Sequence, residues 1–102
     1  MGSKVGFLDA RRRVIDCLRN QAFDHEPRRD INQKNLLHTG QVTSDEVVKM
    51  VVYCNGKDHS VSPHDLDRSV DVHTLKPKGK FDGWYIKFFF VPNGTMFISV
   101  HH

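Results

Sequence analysis

The chain has 102 residues, with 15 Lys and Arg against 12 Asp and Glu, and seven His. A hydrophobic fraction of 38% with 10% aromatics excludes a disordered chain, and the length suits one domain, residues 1–102, with a modest core. The formal charge of +3 favours a polyanion over a basic substrate, and no apolar run approaches a membrane span.

Residues 1–6 read as a disordered or cloning-derived start, Met1-Gly2-Ser3 above all. Phe7, Val14, Ile15, Leu18 and Ala22 then recur at helical spacing, so a helix is expected over roughly residues 8–21. Arg11, Arg12, Arg13 and Arg19 should lie on its outer surface. Asp24 to Arg29 is polar and contains Pro27, which reads as a loop; His25, Glu26, Arg28 and Arg29 suit surface ion pairing there. Asp30 is placed to cap a short helix carrying Ile31, Leu36 and Leu37, stopped by Gly40. Thr43-Ser44-Asp45-Glu46 is a capping-box signature for a third helix with Val47, Val48, Val51 and Val52 inward, ended by Asn55-Gly56.

Beyond Gly56 the character changes to short β-leaning pieces, at about 57–62 and about 69–75, before a terminal hairpin. Pro63 and the Lys76-Pro77-Lys78-Gly79-Lys80 loop separate them. In the hairpin, Pro92-Asn93-Gly94 suits a three-residue loop closed by a left-handed glycine. That loop pairs Val91 with Thr95, Lys87 with Ser99 and Tyr85 with His101. Trp84, Ile86, Phe88, Phe90, Met96, Ile98 and Val100 then share the core side, leaving Tyr85, Lys87, Phe89, Phe97, Ser99 and His101 opposite. The whole reads as α+β, mainly helical over residues 7–55 and sheet over 56–102. Helices would cover one face of an antiparallel sheet of about four strands, leaving the other face open.

The open face is where chemistry is expected. If Val70 and Val72 enter the core, Asp71 and His73 join Tyr85 and His101, with His59 and His64 from the preceding segment. Imidazoles, a phenol and a lysine suit acid–base work on an RNA phosphodiester. His73 and His101 would share the base and acid roles, and Lys87 with Tyr85 would hold and neutralise the phosphate. Phe89 or Phe97 would stack an unpaired base beside Ser99, and Lys76, Lys78 and Lys80 would contact phosphates. A rival use of His59, His64, Asp65, Asp67 and His73 is a metal site, though their spacing matches no zinc signature; no metal or other cofactor is expected. Cys17 and Cys54 have no CxxC spacing and read as two thiols of a reducing cytoplasm.

From about Val47 to His101 the sequence resembles the MqsR toxin family of toxin–antitoxin modules, within the RelE-like and barnase-like small ribonucleases. The resemblance is carried by Asp58-His59-Ser60-Val61-Ser62, Asp71-Val72-His73, Tyr85-Ile86-Lys87 and Ile98-Ser99-Val100. It implies a metal-independent endoribonuclease acting on messenger RNA and inhibited by a cognate antitoxin protein. Tyr85 carries over from the family's functional residues, and Lys87 shares its motif. Val61 stands at the family's catalytic lysine, Val70 at its glutamine, His73 at a tyrosine and His101 at a terminal lysine. Any shared activity would run on a histidine-rich variant. The alternative is a non-catalytic module binding nucleic acid or protein.

Overall fold

The structure, a computed structural model, describes residues 6–29 and 31–102. Asp30, expected to cap a helix, and Met1–Ser3 lie outside the described residues.

Helix α1 (Phe7–Arg19) buries Ala10, Val14 and Leu18, and helix α4 (Ser44–Tyr53) buries Val47, Val48, Met50 and Val51. The capping box forms as the sequence predicts: the Thr43 hydroxyl accepts from the Glu46 amide, and the Glu46 carboxylate accepts from the Thr43 amide. Val52 is 54% exposed rather than inward. Met50, one turn from Val47, takes the core position instead. The short middle helix is two helices, α2 (Ile31–Lys34) and α3 (Leu36–Thr39), separated by Asn35. The fully buried Asn35 caps α3 by accepting from the His38 amide and meets His25 Nδ1 at 2.9 Å. Gly40 ends α3 in the left-handed conformation, φ 81°.

Five strands, one more than the sequence suggests, form a mixed sheet: β1 (Phe23–His25), β2 (His59–Pro63), β3 (Asp71–Leu75), β4 (Tyr85–Val91) and β5 (Gly94–His101), in the order β1-β5-β4-β3-β2. The extra strand lies in the segment that reads as a loop. β1 runs parallel to β5, and Asn35 continues the same edge by a parallel bridge to Val100. The other neighbours are antiparallel. α1, α4 and one sheet face enclose a core including Val14, Leu18, Val47, Val51, Leu75, Ile86, Phe88, Phe97 and Val100.

The hairpin corrects the expected register at one end only. Tyr85 faces His101 and Lys87 faces Ser99, as anticipated, but Phe88 faces Phe97 and Val91 faces Gly94. The connection is therefore the two residues Pro92 and Asn93, and the difference is taken up by a bulge opposite Lys87 and Phe88. Gly94 is not left-handed; it is glycine because a Cβ there would overlap the Ala22 carbonyl, which accepts from the Thr95 amide. The bulge turns Phe97 into the core, against Phe23 and Phe88 at ring distances of 5.6 and 5.9 Å.

β3 is inverted relative to the sequence reading. His73 pairs with Phe88 and Leu75 with Ile86, so both lie on the helix-covered side, and Val72 and Thr74 lie on the opposite side. Val72 is nonetheless buried, because the segment after β2 folds back over that side.

Candidate functional site

On the helix-free face, strand alternation and the Tyr85–His101 and Lys87–Ser99 pairs bring these four side chains together from β4 and β5. The Tyr85 and His101 rings stack at 5.1 Å with planes 22° apart, and the Lys76 ammonium lies 5.6 Å from the Tyr85 ring centre. Arg28, beyond β1, and Lys34, at the end of α2, complete the rim. The resulting concavity, about 240 Å³, is lined by Arg28, Lys34, Tyr85, Lys87, Ile98, Ser99 and His101. Among the described residues its lining carries no carboxylate. Clustered ammonium, guanidinium and imidazole groups with two hydroxyls are matched to a phosphate.

Arg28 is aimed by a strap that crosses the sheet. His64 follows the edge strand β2, yet its Nε2 lies 2.6 Å from Glu26 Oε1, beyond the opposite edge strand. Its Nδ1 accepts from the Leu66 amide, so the ring hydrogen is on Nε2 and is donated to Glu26. Glu26 Oε2 accepts from Arg28 at 2.6 and 2.7 Å. Burial would raise the Glu26 carboxyl, but the bonds from His64 and Arg28 outweigh it and hold it below the ordinary range. Phe89 packs under this strap, its ring 5.2 Å from that of His64.

The expected convergence of histidines does not occur. His73 is 2% exposed on the helix side, stacked on Phe88 and 2.9 Å from His59 Nε2 through its Nδ1. His59 sits beneath Phe7 of α1 at 5.7 Å. Burial, the neighbouring His59 and Arg13 lower His73 to about 4, against the pull of Asp71. Burial lowers His59 too. His64 is 6% exposed and serves the strap. His64 thus lies across the sheet from His59 and His73, and they cannot share a metal ion; among the described residues no cluster of three or more His, Cys, Asp or Glu is placed for one.

The proposed substrate contacts divide in the same way. Lys76 and Ser99 border the concavity, whereas Lys80 lies over Phe81, beside Tyr53 of α4, and Lys78 near Cys54. Phe97 is core, and Phe89 is occupied by His64. Arg28 was legible only as a surface ion-pairing residue, and Lys34 carried no signal. Both are brought in by the long-range pairing of β1 and Asn35 with β5.

No family model matches the chain, and neither a curated protein nor a solved structure shows significant similarity to it. No helix among the described residues is long and apolar enough to cross a membrane.

Proposed function

We propose that the concavity binds and cleaves single-stranded RNA without a metal, as a ribonuclease of the MqsR-like toxin type, acting in the cytoplasm and held by an antitoxin protein. The observation carrying this reading is the meeting of Tyr85, Lys87, Ser99 and His101 with Arg28 around one recess. An RNA phosphate there has its nucleophile built in. His101 takes the proton of the 2′-hydroxyl, the 2′-oxygen bonds to phosphorus, and the bond to the 5′-oxygen breaks. The Tyr85 hydroxyl supplies the proton to that leaving oxygen and is reprotonated from His101. Lys87 and Arg28 neutralise the charge gathered on the equatorial oxygens. The products are a 2′,3′-cyclic phosphate and a 5′-hydroxyl. Compared with the sequence-based assignment, His101 keeps a role, while His59, His64 and His73 have none in the chemistry.

Purified protein incubated with unstructured RNA in excess chelator should release cyclic-phosphate ends. His101→Ala and Tyr85→Phe should each slow release by about 100-fold, the lower range for positioned acid–base groups, while His73→Gln should retain the rate of its folded fraction. Intact RNA ends the nuclease reading. The recess holds a single imidazole, which favours as a second reading a module that binds RNA without turnover; it is distinguished by retained binding with no product.

A further inference from the structure

A second concavity adjoins the first across Arg28. It encloses about 590 Å³ and is lined by Glu26, Pro27, Arg28, Arg29, Asp65 and Leu66. Its size lies within the roughly 300–1,000 Å³ typical of small-ligand sites. Its chemistry differs from its neighbour's. The carboxylates of Glu26 and Asp65 are balanced by the guanidiniums of Arg28 and Arg29, and Pro27 and Leu66 add apolar surface, so the lining suits a neutral, flat group with N–H donors better than a phosphate.

The apolar element is fixed rather than loose. Leu66 is 89% exposed, yet its amide is bonded to His64, and the following turn is closed by the Asp67 carboxylate on Ser69 and by the Val70 amide on the Asp67 carbonyl. A hydrogen-bonded loop thus holds a leucine out beside Pro27. The Glu26 carboxylate is consumed by His64 and Arg28. Arg29 and Asp65 are engaged by no other described residue and are open to a ligand.

We propose that this recess is a nucleobase subsite for the nucleotide next to the bound phosphate, and the inference rests on the RNA reading above. The base lies against Leu66 and Pro27, Asp65 accepts from its exocyclic or ring N–H groups, and Arg29 covers its other edge or face. Unpaired RNA bases are recognised by stacking and edge hydrogen bonds of this kind. Arg28, shared by both recesses and clamped by Glu26, sets the spacing between phosphate and base.

The test uses short 2′-O-methyl oligonucleotides, which cannot be cleaved, and matched strands in which bases are replaced by abasic units. The intact protein should bind the base-bearing strand about tenfold more tightly, the low end of what one stacked base contributes. Leu66→Ser combined with Asp65→Asn should remove that preference and leave abasic binding unchanged; both positions are exposed, and an unaltered melting temperature verifies the fold. Lys87→Ala should weaken both strands alike. Equal binding of the two strands by the intact protein, a preference that survives the double substitution, or no binding at all overturns the subsite. A preference that behaves as expected in a protein that never cleaves RNA leaves the subsite standing and removes the nuclease reading alone.

Discussion

His73 is an ionisable ring held where an ion is costly. Phe88 and Phe90 pack against its faces, and His59, Arg13 and Asp71 are the titratable groups around it. Its hydrogen bond to His59 needs one ring nitrogen as donor and the other as acceptor, which fails when both rings are cationic. The depression from 6.5 to about 4 has a definite sign for stability. The unfolded chain takes up a proton that the folded ring refuses, so stability is complete above about pH 6.5 and falls as the pH drops toward about 4. The full effect is on the order of 3 kcal/mol. Urea unfolding at pH 7.5 and pH 4.5 should show a loss that is smaller by about 2 kcal/mol in His73→Leu. An equal loss in both proteins would refute this account of the ring.

Elements were legible where their causes are local. The capping box of α4 and the stop at Gly40 rest on neighbours in sequence, whereas Tyr85 meets His101 as expected only because a bulge offsets the shorter turn. β1 has no such signature. Phe-Asp-His becomes a strand because Ala22 and Glu26 exchange backbone bonds with Thr95 and Phe97. β3 was read with its faces exchanged because hydropathy marks one buried side, whereas the strap buries the second and hides Val72 beside His73. Gly94 is where the β1 contact is most exposed to test. Gly94→Ala forces a methyl group onto the Ala22 carbonyl and should cost about 1–3 kcal/mol, as overpacking does. Hydrogen exchange should show the Glu26 amide losing protection first, because it is held by the Phe97 carbonyl on the same edge. Wild-type protection at Glu26 would show that β1 docks independently of this contact.

Across the whole molecule, a modest formal charge of +3 hides a strong asymmetry of placement. Arg11 and Arg13 are spent on the backbone carbonyls of Cys54 and Val91 and on the rings of Phe7 and Phe90. Arg12 pairs with Asp9 on the outer side of α1. Lys76, Lys87 and His101 gather at one end of the helix-free face, beside Arg28, which Glu26 holds. Net charge was readable from composition; this gathering depends on which edge of β5 the N-terminal half covers. RNA affinity should therefore fall steeply with salt. Lys87→Ala should flatten the logarithmic slope by about 0.7, the value for one single-strand phosphate contact, while Arg12→Ala should leave it unchanged. Equal effects of the two would mean that the polyanion follows α1 rather than the sheet.

The bulge in β5 has a consequence for the family of conformations open to this hairpin. A two-residue connection with one extra residue inside the strand, and a three-residue connection with none, deliver Ser99 and His101 to the same partners. The two arrangements differ over residues 94–98, where the second would exchange the phenyl ring of Phe97 for the side chain of Ile98 in the interior. Phe23 and the Ala22 carbonyl hold the first arrangement in place. A change of one residue in the turn would thus leave the Tyr85–His101 half of the hairpin in step.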